Sequence, residues 1–266
     1  MNLFKIIEDI EKVDPEVYER LDSRRKVFKH MGSFSKKAAL AALPLALGSV
    51  FQKAYGQTSN DVLDALNFAL KLEYLERNFY TQALQANGLI TDATARGAIE
   101  TIRDHEAAHV EALIATINSL NGTPIDEPTF NFGKNFSNWN TNYETFLTLA
   151  QAFEDTGVRA YKGQAPRLIN NDAVLTAALQ IHSVEARHAA YIRRMRGNEG
   201  WIIGEGDNSN VPAGAQPVYE GEGNLMQGGV NNVSTVGAGY SSAIATGAFD
   251  EPLTKAQVAA IVSLFE

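Results

Sequence analysis

The chain contains no cysteine among its 266 residues, so disulfides, thiolate-bound zinc and cysteine nucleophiles are excluded at the outset. Any metal has to be held by His, Asp and Glu, which leads away from ions that need soft thiolate ligands. Basic charge is scarce as well: 23 Lys and Arg stand against 31 Asp and Glu, a formal net charge of -8. Nucleic acid is thereby set aside as a partner, because phosphate binding draws on basic surface. The apolar run 38–51, AALAALPLALGSVF, has 14 residues and is too short to span a bilayer by itself. What remains is ordinary for a folded globular protein, with 45% apolar and 20% charged residues. The length suffices for one sizeable core with appendages.

Residues 1–56 differ from the rest. They hold 10 Lys and Arg against 7 Asp and Glu, leaving 13 against 24, or -11, for the remainder. A basic stretch (SRRKVFKHMG, 23–32) precedes the apolar run, and small residues follow at Ala54 and Gly56, which is an export-signal pattern. Ser23, Arg24, Arg25, Phe28 and Lys29 resemble a twin-arginine signal, and the expectation is an exported protein, in the periplasm or cell envelope. An N-terminal arm packed on the domain or on a partner chain is the alternative.

Four long helical segments are expected next, at about 60–86, 93–120, 142–165 and 172–196. Asn87-Gly88, Asn121-Gly122 and Pro166 supply stop signals. Short connections join the first pair and the second pair, making antiparallel hairpins. Between the pairs, NGTPIDEPTFNFGKNFSNWN is long enough to cross the length of a bundle. The expected fold is all-α: a four-helix bundle over 57–196, built as two antiparallel hairpins joined by a long crossover. An irregular Gly/Asn-rich extension follows over 197–266, with Trp201, Ile202 and Ile203 as candidate anchors. It ends in a short helix near 254–264 whose docking partner the sequence leaves open.

The stripes of these helices carry an anomaly. The second runs Ile99, Ile102, Glu106, His109, Leu113, so an acid and an imidazole occupy the middle of the face that should be buried. The pattern is duplicated. Glu73 precedes Tyr80 by seven residues and Glu106-x-x-His109 follows; Glu154 precedes Tyr161 by seven and Glu185-x-x-His188 follows. Glu73 to Glu106 is 33 residues and Glu154 to Glu185 is 31. Burying a lone carboxylate costs on the order of several kcal/mol, so four on core-facing stripes demand compensation. Two divalent cations balance four carboxylates, with the imidazoles as neutral ligands, and Glu and His three apart on a helix project from the same face. The candidate ligands are therefore Glu73, Glu106, His109, Glu154, Glu185 and His188, with no catalytic residue beyond them. Glu76 rivals Glu73, but the alignment of the halves sets Gly157 opposite it and favours Glu73. His105 and His182 lie off the ligand spacing and are expected at the surface or behind the ligands, His105 as a bystander and His182 within reach of orienting Glu185. Tyr80 and Tyr161 are either core aromatics or hydrogen-bond partners of the site.

Residues 60–196 resemble the ferritin-like superfamily of ferritins, rubrerythrins and manganese catalases, on the duplicated Glu, Tyr, Glu-x-x-His order. Within it the texture is similar to exported bacterial ferritin-like domain proteins of the desiccation-related type. The resemblance implies a pair of iron or manganese ions, with Tyr80 and Tyr161 matching tyrosines behind the ligands in several members. It implies Fe(II) oxidation, peroxide disproportionation, or peroxide reduction with outside electrons, in a stress-protective role. The last is disfavoured, since the chain has no cysteine-ligated iron domain. Peroxide, O2 or Fe(II) are the implied small substrates. A homo-oligomer assembled through arm, crossover or tail is a further expectation, and a non-catalytic structural module is the alternative function.

Overall fold

A computed structural model describes residues 60–204, 211, 213–227, 230–231 and 241–266. The expected signal or arm over 1–56 lies outside the described residues. Four long helices form where the stripes place them: α1 (Asn60–Gln85), α2 (Ala93–Ser119), α3 (Tyr143–Gln164) and α4 (Asp172–Met195). Their starts follow from side-chain chemistry. Asp92, Asn142 and Asn171 accept from the amides of Ala95, Thr145 and Val174, pairing donors that a first helical turn leaves without partners. Gly88 takes the left-handed conformation after α1 (φ 74), whereas after α2 it is Asn121 (φ 58) that does so. Pro166 falls in a 3-10 turn, Ala165–Leu168, that finishes α3. No helix among the described residues is long and apolar enough to cross a membrane.

The α1–α2 and α3–α4 hairpins make the most extensive contacts, and α1 then packs on α3 and α2 on α4. The crossover between α2 and α3 turns Phe130, Phe132, Phe136 and Trp139 into the core. Phe132 and Trp139 pack on Phe79 of α1, with ring centroids 5.2 and 5.3 Å from it, and Phe153 of α3 lies 4.9 Å from the same ring. This aromatic wedge fixes how the two hairpins meet.

The described residues of the C-terminal extension form more regular structure than their composition leads one to expect. It contains a 3-10 segment (Ala213–Tyr219), a small antiparallel pair of β1 (Met226–Gln227) and β2 (Val230–Asn231), α5 (Ser242–Thr246) and α6 (Lys255–Val262). The last helix docks on its own bundle: Val258, Ile261 and Val262 are buried, and Phe265 just beyond it packs 4.9 Å from Phe153. Of the candidate anchors, Ile202 is buried and Ile203 half-buried, while Trp201 is 48% exposed beneath the Arg194 guanidinium.

Docking of the extension explains why α3 is buried without interruption from Phe146 to Tyr161. Its outward face carries Gln151, Asp155 and Arg159, spaced one turn apart, and the extension supplies partners for each. Gln151 donates to the Tyr219 hydroxyl at 3.0 Å, and that hydroxyl donates to Asp155 at 2.8 Å. Asp155 also pairs with Arg193 of α4 through two hydrogen bonds of 3.0 and 2.7 Å. Arg159 donates to the carbonyls of Val218, Glu220 and Glu251 and pairs with Glu222 at 2.8 Å. Polar residues that would face water on a bare bundle thus become the attachment for the strap.

Where strap and helix touch closest there is no room for a side chain. A Cβ on Gly163 would stand 2.0 Å from the Leu253 carbonyl oxygen, and the Leu253 amide donates to the Arg159 carbonyl. Gly163→Ala is expected to lower stability by about 1–3 kcal/mol in urea denaturation, the usual range for overpacking. Limited proteolysis should then cut first within 241–266 while the helical signal of α1–α4 persists.

Candidate metal centre

Each of the four helices contributes to one buried cluster. Glu73 comes from α1, Glu106 and His109 from α2, Glu154 from α3, and Glu185 and His188 from α4. All four carboxylates have 0% exposure, and both histidines are buried. Donor atoms of Glu73, Glu106, His109 and Glu185 lie within 4.8 Å of one another, as do those of Glu106, Glu154, Glu185 and His188. Glu106 and Glu185 belong to both groups, so the arrangement is two adjoining four-residue cages sharing two carboxylates. The structure brings all six sequence-predicted residues together.

The donor set fits a pair of metal ions. Among the described residues, Glu106 Oε1, Glu154 Oε2, both carboxylate oxygens of Glu185 and His188 Nδ1 are fully buried without a hydrogen-bond partner. Yet they are not distant from other polar atoms: His188 Nδ1 is 2.7 Å from Glu106 Oε1 and 3.3 Å from Glu154 Oε2. His109 Nδ1 stands 3.1 Å from Glu73, 3.0 Å from Glu106 and 3.0 Å from Glu185. Neighbouring donors around an octahedral ion bound at about 2.1 Å lie about 3.0 Å apart, so this close approach of donor atoms is what a shared cation requires. Both imidazoles turn Nδ1 toward the cluster.

Without metal, the cluster neutralises itself with protons. Burial, reinforced by the charge of Glu185, raises the Glu73 carboxyl well above its ordinary range. Burial likewise lifts Glu154 to about 8 despite His188. For Glu106, burial works upward but is outweighed by His109 and His188, which hold it well below the ordinary value. For Glu185, burial and the charge of Glu106 work upward, but the nearness of the two histidines outweighs them and lowers it. Burial disfavours charging His109 and His188, but the carboxylates around them win and raise both. In the metal-free centre these shifts favour protons on Glu73, Glu154 and the two imidazoles over Glu106 and Glu185. Two divalent ions would exchange for four protons on Glu73, Glu154, His109 and His188 with no change in net charge.

The tyrosines are hydrogen-bond partners of the site rather than plain core residues, and they cross between halves. Tyr161 of α3 donates to Glu73 Oε1 on α1 at 2.5 Å, and Tyr80 of α1 donates to Glu154 Oε1 on α3 at 2.5 Å. Seven residues of helix carry a tyrosine about 10 Å beyond its own acid, so it meets the acid of the antiparallel neighbour. Glu73 is thereby left with Oε2 facing His109 and Glu154 with Oε2 facing His188.

Two residues play larger parts than their spacing indicates. His105 is no bystander: its Nδ1 is 3.0 Å from His188 Nε2, with the rings stacked 5.3 Å apart. That contact crosses from α2 to α4, and only its place beside Glu106 hints at it. Glu76 is a fifth buried carboxyl, outside both four-residue groups. A Cβ on Gly157 would stand 3.2 Å from Glu76 Oε1 and 3.4 Å from Glu185 Oε2, so the glycine leaves the space that the Glu76 carboxyl occupies. Burial and then the charge of Glu185 raise Glu76 well above the ordinary carboxyl range. His182 is half-buried and makes no hydrogen bond to Glu185, whose carboxylate oxygens have no such partner.

The family model described as a ferritin-like domain matches residues 61–198, a span that holds all four helices and every residue of the centre. The chain belongs to that family. No curated protein matches it.

Proton holding in the metal-free protein has a measurable consequence. Glu73, Glu76 and Glu154 bind protons in the fold at pH values where the unfolded chain, with carboxyls near 4.5, has lost them. His109 and His188 do the same above the ordinary histidine value of 6.5. The native state thus holds more protons than the unfolded one, and stability falls as pH rises from about 5 to about 8. The depressed Glu106 and Glu185 act oppositely, but only below about pH 4.5, where their stabilisation is lost. Thermal unfolding of metal-free protein should show this decline, and loading with a divalent ion should abolish it. Loading in weak buffer near pH 6 should release about four protons per chain, read by pH-stat titration.

Proposed function

We propose that this ferritin-like domain protein is a di-metal oxidoreductase that holds two iron or two manganese ions and oxidises Fe(II) or consumes O2 or peroxide in stress protection. The observation that carries this is the convergence on two imidazoles of four wholly buried carboxylates, three of them with unpartnered oxygens. Glu73 and His109 would hold one ion, Glu154 and His188 the other, and Glu106 and Glu185 would bridge them. Bound there, the metals supply one-electron redox steps and coordination positions for an oxygen substrate.

The chain's own residues do the rest. Tyr161 and Tyr80 fix the outer carboxylates by engaging one oxygen of each and leaving the other for the centre. His105 braces the His188 ring from behind through Nε2, which sets the direction of Nδ1. Reduction of O2 or peroxide consumes protons, and the Glu76 carboxyl keeps one in reserve in the gap beside Gly157. Aromatic packing about Tyr80 excludes bulk water from its side of the centre. The twin-arginine-like segment of residues 1–56 supports export to the periplasm or cell envelope, the compartment in which this protection would act.

Elemental analysis of protein taken from its native host is expected to find about two iron or manganese ions per chain. Glu106→Ala/His109→Ala removes a donor common to both cages and should bring metal content close to zero. Stopped-flow oxidation of Fe(II) should then slow by about 100-fold or more, and Tyr161→Phe by about 10-fold with metal retained. Equal metal in wild type and double variant would overturn the reading, and full loading with no turnover would leave the ions a structural staple.

A further inference from the structure

Next to the centre lies a cavity that the ligands do not use. It occupies the end of the bundle formed by the start of α1, the end of α2, the end of α3 and the start of α4, and six alanines line it: Ala65, Ala69, Ala112, Ala160, Ala177 and Ala178. Counted as space open to the centre of a water-sized molecule, its volume is about 20 Å³. One such molecule needs roughly 10–15 Å³ on that measure, so the cavity admits a single very small guest. Its position relative to the metal cages is set by helix geometry. Among its lining residues, Ala69 is one turn before Glu73, Ile181 one turn before Glu185, and Leu113 one turn after His109. Tyr161 lines it too, and the hydroxyl of that side chain rests on Glu73.

Its polar lining residues already have partners. Tyr161 donates to Glu73, Thr116 donates to the Ala112 carbonyl at 2.6 Å, and the Gln164 oxygen accepts from Arg167 at 3.1 Å. A water or a peroxide would find few free hydrogen-bonding groups there and give up most of its own bonds on entering, whereas an apolar molecule would lose none. The cavity also breaks the symmetry of the repeat. Tyr80, counterpart of Tyr161, is packed against Phe79 at 5.4 Å and Phe146 at 6.3 Å. Voids in a core are destabilising, and six alanines at inward positions keep this one open beside the half of the centre held by Glu73.

We propose that this cavity is an antechamber for dioxygen, holding the molecule one helical turn from the metal pair with Tyr161 between them. Resting on the di-metal reading above, this names O2, and not peroxide, as the oxidant the protein is built to collect. Two measurements test it. In the metal-free full chain under pressurised O2, paramagnetic relaxation of the Ala69, Ala112 and Ala160 methyls should exceed that of Ala83 and Ala150 several-fold, although those two are just as buried. Ala65→Val and Ala177→Val, each two turns from a ligand, should remove that excess. In the iron-loaded protein the same variants should slow Fe(II) oxidation by subsaturating O2 roughly tenfold, in proportion to lost occupancy, and leave oxidation by hydrogen peroxide unchanged. Equal relaxation at all five methyls, or equal slowing with both oxidants, would overturn the proposal. Wild-type protein that reacts with neither oxidant would sink the oxidoreductase reading, while the methyl relaxation would still decide whether the cavity takes O2.

Discussion

Four carboxylates removed from water within a few ångströms of one another are the constraint to which the rest of the molecule answers. Like charges at that distance in a poorly polarisable interior repel strongly, and burial penalises each one separately. Cations or protons must therefore share the space, and the two histidines make either solution workable. Metals would take the place of protons favoured on Glu73, Glu154, His109 and His188, while Glu106 and Glu185 are held toward the anionic form by the histidines. The same residues would serve in both forms, so the cage stands ready before loading.

Holding such a cage requires four helices at fixed depth and rotation, and much of the molecule outside the bundle serves that end. The crossover drives its aromatic wedge against Phe79, one residue before Tyr80. The extension clamps α3 through Gln151, Asp155 and Arg159, and Asp155 adjoins the ligand Glu154 in sequence. Arg193 ties that same aspartate to α4, two turns beyond Glu185. A shift of α3 along its axis would break these bonds before it displaced Glu154. The strap is thus a brace for the centre as well as a cover for a polar helix face.

Duplication explains the symmetry of the ligands and, by contrast, makes its violations informative. Glu76 on α1 faces Gly157 on α3, so the centre carries one extra carboxyl on one side only. Tyr80 is enclosed by aromatic rings, whereas Tyr161 borders an alanine-lined space. His105 braces His188, and the equivalent place one residue before Glu185 is held by Val184. The repeat supplies the cage, and each departure from it lies where a proton, a brace or a small guest would differentiate the two metal positions.

Helix positions, the hairpin pairing and all six clustered residues were legible in the chain itself, because helical period converts spacing into a shared face. An acid on an apolar stripe is visible without coordinates, and its repetition at nearly the same spacing is visible too. Contacts between faces were not legible. Which tyrosine meets which acid, the stacking of His105 on His188, the burial of α3 on every side and the docking of α6 all depend on distances between helices. Those distances come from how side-chain volumes fill the space between elements, a property of the packed ensemble and not of any single period. The sequence by itself determined which groups point inward; tertiary packing decided which of them touch, because only there do crossing angles, glycine gaps and the covering strap acquire definite geometry.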